Sequence, residues 1–230
     1  MKLRKSFVAL LLVGVLVLPF MCNSITAEAK TKSKKNTTAE VVYNQVAVQA
    51  VPTQDGLVAV FVTNNSAVTI DDLELTIEYL DANGVTIDVD TDGHDMILPG
   101  ATVVSRMDTP DTGYASTKVT YTIELGCYKQ YENHAAGVVV ESNPGADGVI
   151  VKITNNSGVD LDEVEYDVVL LKGDQFVTIC YPNDIYDLAA GATATEKESV
   201  YNSQTYRSYV YGVDYDSILV VLNQAHTFGF

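Results

Sequence analysis

The sequence predicts an all-β protein made of two tandem β-sandwich domains, and two observations support this fold class. The stretch VTNNSAVTIDDLELTIEYL, which begins at Val62, returns as ITNNSGVDLDEVEYDVVLL at Ile153, and Gly100 and Gly191 keep the same offset of 91 residues. Apolar and polar residues alternate in both copies, and no helical periodicity follows the N-terminal segment. Two long copies are typical of a tandem domain duplication, because solenoids stack shorter and more numerous repeats.

The N-terminal segment predicts a cleaved secretory signal peptide over residues 1–29. A basic start, MKLRK, precedes an apolar run from Phe7 to Phe20 and the small-residue site Ala27-Glu28-Ala29. This run is shorter than the roughly 20 residues that a transmembrane helix needs, so we expect no membrane span. We therefore expect an extracytoplasmic protein, secreted or held at a bacterial cell surface.

Cys22 raises the alternative of a lipid anchor of the bacterial lipoprotein type. Small residues immediately precede the modified cysteine in such signals, whereas Pro19, Phe20 and Met21 precede it here. We therefore expect no lipid anchor at Cys22. After the signal we predict a flexible basic linker over residues 30–40, a first sandwich over 41–132 and a second over 133–230.

One strand of each copy shows the alternation clearly. In the first copy the residues on one face are apolar: Leu73, Leu75, Ile77 and Tyr79. The corresponding residues of the second copy are Val164, Tyr166, Val168 and Leu170. Val169 and Leu171 are apolar on the opposite face of that strand, so we expect it to be covered on both faces.

Turn-forming residues separate the predicted strands. TNNS follows an apolar strand in each copy, and we interpret it as a structural turn because Asn tolerates left-handed backbone and caps its own chain. The same letters form glycosylation sequons at Asn64 and Asn155, with a third at Asn36. Recurring turns are typical of immunoglobulin-like sandwiches, although the chain has no Trp, so the term describes architecture alone.

The first copy resembles the FxLYD group of bacterial cell-envelope domains. The residues that occupy the places of this motif are Ile77, Tyr79, Leu80, Asp81 and Gly84. In the second copy Lys172 stands in place of the aspartate. The resemblance implies an extracytoplasmic immunoglobulin-like sandwich with no known catalytic residues.

Charge excludes one class of partner. Residues 36–230 hold 29 acidic side chains against 7 basic ones, within a chain of net charge −16. Such a field repels nucleic acid and favours solubility and divalent cations. We therefore expect no nucleic-acid binding.

The stretch DVDTDGHD predicts a candidate calcium site. Asp88, Asp90 and Asp92 alternate before Gly93, as in the first half of an EF-hand loop. The twelfth position of such a loop holds Pro99 rather than Glu, so Asp95 or carboxylates of another loop would complete the coordination of Ca²⁺. The alternative is an acidic, solvated strand end or turn.

Tyrosine and cysteine provide two further candidate features. Tyr209, Tyr211 and Tyr215 share one face of an extended strand, where they form either a platform for a sugar or protein partner or part of the core. Cys127 and Cys180 form either a disulfide between the two copies or two free thiols, since export permits a bridge.

No catalytic motif accompanies the three histidines. The leading hypothesis is a non-enzymatic extracytoplasmic binding or structural module, stabilised by calcium in one variant of it. Its partner would be a protein or a cell-surface glycan. The alternative is a secreted hydrolase whose carboxylates lie in a groove between the two domains.

Overall fold

Fourteen strands arranged in four sheets form in residues 37–126, 131–180, 182–202 and 205–228, which are the residues that this computed structural model describes. The all-β prediction is confirmed. The predicted signal peptide, Cys22 and the Asn36 sequon lie outside the described residues. The last residues of the predicted linker begin a short helix, α1 (Thr37–Tyr43), which buries Val42 and Tyr43 in the first core.

The first sandwich packs two antiparallel three-stranded sheets around one core. Its strands are β1 (Val46–Pro52), β2 (Leu57–Asn64), β3 (Ile70–Leu80), β4 (Thr86–Ile97), β5 (Thr102–Asp108) and β6 (Ser116–Glu124). One sheet has the order β1-β2-β5 and the other β4-β3-β6. The alternating residues of β3 that were expected to face inward, from Leu73 to Tyr79, are buried in this core.

The second sandwich repeats that strand order. Its elements are β7 (Tyr131–Asn133), a 3₁₀ turn (Ala135–Gly137), β8 (Val138–Gly145), β9 (Gly148–Asn155), β10 (Leu161–Lys172), β11 (Gln175–Ile179), β12 (Asn183–Leu188), β13 (Thr193–Glu198) and β14 (Ser217–Phe228). One sheet has the order β8-β9-β13, and β10 is the counterpart of β3 in the other. Both β11 and β12 pair with β10, where the first sandwich has the single strand β4. The predicted domain boundary between residues 132 and 133 falls inside β7, which pairs with β14.

The repeated TNNS phrase forms a buried hydrogen-bonded turn in both copies. The Asn64 amide nitrogen donates to the carbonyl oxygens of Val68 and Ile97, each at 2.9 Å, and its Oδ1 accepts from Ser66. Asn155 repeats this arrangement with Val159, Leu188 and Ser157. The turn therefore ties the end of β2 to the segment before β5 in the first sandwich, and the end of β9 to the segment before β13 in the second. The interpretation as a structural turn is confirmed.

Both sequon asparagines are inaccessible in the folded chain. Asn64 and Asn155 are fully buried, and each donates two hydrogen bonds from its amide nitrogen. A glycan on either nitrogen would remove a bond and require open space, so the folded sandwiches are incompatible with modification at these sites.

The two sandwiches meet at an apolar contact that we call the seam. It contains Ala59 and Val104 of the first sandwich and Val169, Phe176 and Ile179 of the second, all buried. Phe61 and Phe176 meet edge to face with ring centroids 5.6 Å apart. The outer face of the β1-β2-β5 sheet thus packs on the outer face of β10, which confirms that β10 is covered on both faces.

A polar contact extends the seam. The loop between β1 and β2 donates backbone N–H groups from Gln54 to the Phe176 carbonyl (2.9 Å) and from Asp55 to the Val177 carbonyl (3.3 Å). The buried Asp55 carboxylate accepts hydrogen bonds from the hydroxyls of Thr53 (2.5 Å) and Thr178 (2.6 Å). The neighbouring sandwich therefore accepts both backbone N–H groups of this loop, and its Thr178 shares the Asp55 carboxylate with Thr53 of the loop itself.

Replacing Thr178 by Val should weaken the seam. The variant keeps the shape of the side chain but removes a buried hydroxyl donor to Asp55, so we expect a loss of about 1–3 kcal/mol in the free energy of unfolding. Urea unfolding measures it. Thr154→Val is the matched control, because its hydroxyl pairs only with Thr193 at the surface. Equal losses in the two variants would contradict the role of Thr178.

Candidate functional site

A groove of about 600 Å³ opens beside the seam, between the two sandwiches. Strands β4 and β5 of the first sandwich and β10 and β14 of the second contribute its walls. Its charged lining includes Asp92, Asp95, Glu163, Glu165, Asp167 and Arg106. Carboxylates therefore outnumber the one guanidinium among the described residues of the groove.

Strand β10 explains why carboxylates lie beside an apolar contact. Its outward residues alternate with the core residues, and they change character along the strand. Glu163, Glu165 and Asp167 come first and line the groove, whereas Val169 and Leu171 follow and pack in the seam. One face of a single strand therefore both joins the sandwiches and builds the site.

A β-bulge brings two amide side chains into the groove. Glu165 pairs with Gln224 and Tyr166 pairs with Leu222, so Asn223 is the extra residue in β14. Consecutive residues of a regular strand point to opposite faces, but a bulge redirects the side chain beside it. Asn223 and Gln224 consequently both line the groove.

These two amides form a buried network with the carboxylates of β10. The Asn223 amide nitrogen donates to Glu165 Oε1 at 3.0 Å and to Asp167 Oδ2 at 2.9 Å. The Gln224 amide nitrogen donates to Glu165 Oε2 at 2.8 Å. The exposed fractions of Asp167, Asn223 and Gln224 are only 1%, 2% and 8%.

Three oxygens of this network lack a well-formed hydrogen bond among the described residues, although the Val104 backbone N–H approaches the Asp167 carboxylate. They are Asp167 Oδ1, Asn223 Oδ1 and Gln224 Oε1, and all three atoms are buried. Buried polar atoms in native proteins are nearly always hydrogen-bonded, so unpartnered ones at a groove need an explanation such as a water or a ligand. The groove is thus rich in acceptors, and Arg106 is the charged donor that lines it with them.

Burial and the crowding of acidic groups raise the pKa values of two carboxyl groups in the groove. Burial, with a contribution from neighbouring Glu165, raises the pKa of Asp167 to about 7. Burial and the charges of Asp184 and Glu165 also raise the pKa of Glu163. Both shifts mean that negative charge is costly here, and that a cation entering the groove would be stabilised.

His94 lies at the wall of the groove beside a serine and an aspartate. Its Nε2 is 2.6 Å from Ser105 Oγ and 3.7 Å from Asp92 Oδ2, and burial lowers the pKa of the imidazole. Both neighbours approach the same ring nitrogen, whereas a catalytic triad places them on opposite nitrogens. Ser105 is also fully buried. We therefore interpret this cluster as a cross-link between β4 and β5.

The predicted calcium ligands lie along a strand, which corrects the expected tight loop. Asp88, Asp90 and Asp92 stand opposite buried residues of β3 within the long strand β4, and Asp95 stands opposite Asp72. Residues 37–126, 131–180, 182–202 and 205–228 contain no group of three His, Cys, Asp or Glu side chains placed to hold a metal ion. The structure does not bring the four aspartates together, although Asp92 and Asp95 line the groove.

The predicted tyrosine platform is also corrected. Tyr209 and Tyr215 are buried in the second core, with exposed fractions of 7% and 1%. Tyr211 is half exposed and meets Tyr215 edge to face at 5.5 Å. The expected extended strand is absent, because residues 212–214 form a turn and Tyr211 pairs with Tyr215 only in an isolated bridge. Two of the three side chains belong to the core.

Cys180 carries a free thiol and lines the groove. Burial, together with nearby carboxylates, raises the pKa of this thiol to about 12, so it is protonated and unreactive at neutral pH. Cys127, the predicted partner of a bridge, lies outside the described residues.

Sequence reasoning missed Asp167, Asn223 and Gln224. The apolar outward residues of β10 indicated that something covers this strand, but no motif singled out the acidic residues before them. No sequence signal marks the bulge at Asn223, because its position depends on the pairing of two distant strands.

Comparison with known proteins leaves the chain without a family. No family model matches it, and no curated protein matches it. Among solved structures it is similar to the crystal structure of red sea bream transglutaminase, with a TM-score of 0.24 and 11% sequence identity. That match covers 77% of this chain and 31% of the transglutaminase chain, so this chain spans about a third of that protein. A likeness at this TM-score carries no argument about activity, and the FxLYD resemblance stays a prediction.

Proposed function

We propose that the protein is a non-enzymatic extracytoplasmic binding module of the bacterial cell envelope or secretome, and that its ligand occupies the groove between the sandwiches. The observation that carries this proposal is that Asp167, Asn223 and Gln224, which line that groove, each have a buried side-chain oxygen without a well-formed hydrogen bond. Binding a ligand with hydrogen-bond donors would satisfy them. The signal peptide predicted over residues 1–29 supports the location.

The size and rigidity of the groove support binding of a small organic group. Its volume of about 600 Å³ lies within the range of small-molecule sites, roughly 300–1,000 Å³. The seam holds the walls together through buried apolar contacts, so the site is formed before the ligand arrives. A preformed site avoids the entropic cost of ordering its walls on binding.

The negative charge of the groove favours one kind of partner. A concave, acidic site of low dielectric concentrates a negative field and attracts cations while repelling anions. This is consistent with a protein or cell-surface glycan that presents a positively charged or donor-rich group. No described helix is long and apolar enough to cross a membrane.

The hydrolase alternative rests on one specific observation, the pKa of about 7 for Asp167, which would suit a general acid. Against it, Asp167 Oδ2 and both oxygens of Glu165 already accept amide hydrogen bonds, and Ser105 is buried. These groups are held in place rather than exposed for attack. Turnover of a polysaccharide or ester that disappears in Asp167→Asn would support hydrolysis and overturn the non-enzymatic proposal.

A thermal-shift panel tests the binding proposal without assuming a ligand. The mature protein, residues 30–230, would be melted with amines, calcium chloride, neutral oligosaccharides and organic anions, each compared with a Glu163→Gln/Glu165→Gln variant. We expect at least one class to raise the Tm of the unsubstituted protein by several degrees and to leave the variant unchanged. A panel that shifts neither protein, or shifts both equally, would contradict binding in the groove.

A further inference from the structure

We propose that the group bound in the groove is a primary alkylammonium, held by Asp167, Asn223 and Gln224. This inference rests on the proposed function, because it names the chemistry of the ligand for the same site. It follows from the arrangement of donors and acceptors, from the charge of the lining and from the apolar wall beside it.

An alkylammonium supplies the kind of donor that the oxygens of these three residues lack. An alkylammonium carries three N–H donors and no acceptor. The groove offers three buried oxygens without a well-formed hydrogen bond, on Asp167, Asn223 and Gln224. A carboxylate or phosphate ligand would instead bring acceptors to a groove in which carboxylates outnumber the Arg106 guanidinium among the described residues, and would leave the three oxygens unsatisfied.

The orientation of the two amides is imposed by Glu165. Both of its oxygens accept N–H groups, one from Asn223 and the other from Gln224. Rotating either amide by half a turn would place its oxygen against a carboxylate, which is repulsive. The carbonyl oxygens of Asn223 and Gln224 are therefore the atoms left over for a ligand, and Glu165 acts as a positioning residue.

The charge around these oxygens favours a cation. Glu165 on the same strand and Asp92 from β4 both face Asp167, while Arg106 and Cys180 also line the groove. Asp167 carries a raised pKa because its ionised form lacks sufficient compensation. An ammonium beside it would stabilise the ionised carboxylate, so affinity should increase as pH rises from 6 to 8.

An apolar wall accounts for the alkyl part of the ligand. Val103, Val104 and Tyr131 line the same groove. Val103 is packed in the first core and Val104 in the seam, so little of either side chain is open to solvent. Tyr131 is partly exposed, and a methylene chain leading to the ammonium would pack on it and gain hydrophobic free energy that a bare ion cannot.

A metal ion fits the groove less well. The described residues hold no cluster of three His, Cys, Asp or Glu side chains suited to a metal. The volume of about 600 Å³ also exceeds what one coordinated ion and its water ligands fill, whereas it suits an organic group. Because the acidic lining would also attract Ca²⁺, the experiment must distinguish calcium binding from amine binding.

Isothermal titration calorimetry of the mature protein at pH 8 tests the inference. The amine probes are 1,5-diaminopentane and Nα-acetyl-lysine amide. The matched controls are 1-pentanol, which lacks the charge, tetramethylammonium, which lacks N–H donors, and calcium chloride. We expect both amines to bind and the three controls to bind at least about tenfold more weakly, since each lacks a required feature.

Two variants locate the site. Asp167→Asn should weaken amine binding at least about tenfold, because it removes the charge and one acceptor. Asp174→Asn makes the same change in net charge at an exposed turn and should bind the amines as the unsubstituted protein does. Circular dichroism of both variants confirms that they remain folded. A fluorinated or isotopically labelled amine followed by NMR provides a second measurement if Asp167→Asn does not fold.

Each outcome has a defined meaning. Amine binding that Asp167→Asn leaves unchanged, or calcium binding tighter than amine binding, would overturn the inference. Binding of a sugar or an anion in the groove, without amine binding, would overturn the alkylammonium while leaving the binding-module proposal intact. Stronger binding of 1,5-diaminopentane would indicate a free diamine as the source of the ammonium, whereas stronger binding of the lysine amide would indicate a lysine side chain of a protein partner.

Discussion

Asp167→Asn should stabilise the folded protein at pH 8, although it removes a charged side chain. Burial raises the pKa of this carboxyl from its ordinary value of 3.8 to about 7. One pKa unit corresponds to about 1.4 kcal/mol, so a shift of this size corresponds to at most about 4 kcal/mol of destabilisation when the group is ionised. The amide of Asn keeps an acceptor for Asn223 and removes the uncompensated charge.

The sign of the pH dependence follows from the same shift. The folded-state pKa of Asp167 lies above the unfolded value, so the folded chain holds the proton more tightly. Its contribution to stability is therefore lost as pH rises from about 4 to about 7, and stays constant above that range. Buried His94 and His226 have lowered pKa values and act in the opposite direction, as groups that favour folding at higher pH.

Urea unfolding at pH 5 and pH 8 separates these contributions. His94, His226 and Glu163 are present in both proteins, so the difference between the unsubstituted chain and Asp167→Asn reports Asp167 alone. We expect the variant to gain stability relative to the unsubstituted chain between pH 5 and pH 8. Asp174→Asn serves as the exposed control. Parallel pH curves for the unsubstituted chain and Asp167→Asn would show that the carboxyl is not perturbed.

Asn64→Ala should destabilise the first sandwich by about 3 kcal/mol, and Asn155→Ala should destabilise the second by a similar amount. Each asparagine makes two bonds from its amide nitrogen and accepts two from a serine. Removing the side chain leaves carbonyl oxygens and a serine without their partners in the turn. The loss combines the bonds themselves with the cost of burying unsatisfied groups.

The adjacent asparagines provide matched controls. Asn65 and Asn156 follow the buried residues directly, carry the same side chain and are exposed. Asn65→Ala and Asn156→Ala should each change the free energy of unfolding by less than about 0.5 kcal/mol, as is usual for surface substitutions. Chemical denaturation of the four variants measures the contrast. A similar loss for Asn64→Ala and Asn65→Ala would mean that the buried turn contributes little.

Local pattern predicted much of the fold because strand periodicity and turn chemistry act over a few residues. The inward residues of β3 and β10, the turn at Asn64 and the double covering of β10 all follow from such signals. Local pattern also predicted a tight loop at DVDTDGHD, and this prediction was wrong. Alternating carboxylates before a glycine suit a metal loop, but pairing with β3 extends this stretch into β4.

The sequence by itself determined the duplicated sandwich, because each copy carries its own alternation and its own buried asparagine turn. The tertiary structure alone decided where the candidate site lies. Asp167 and Asn223 become neighbours only when β10 pairs with β14, and the groove exists only where the seam ends. An acidic strand face is buried or solvated according to what packs against it. Periodicity within one strand carries no information about that packing, because the other sandwich supplies the covering surface.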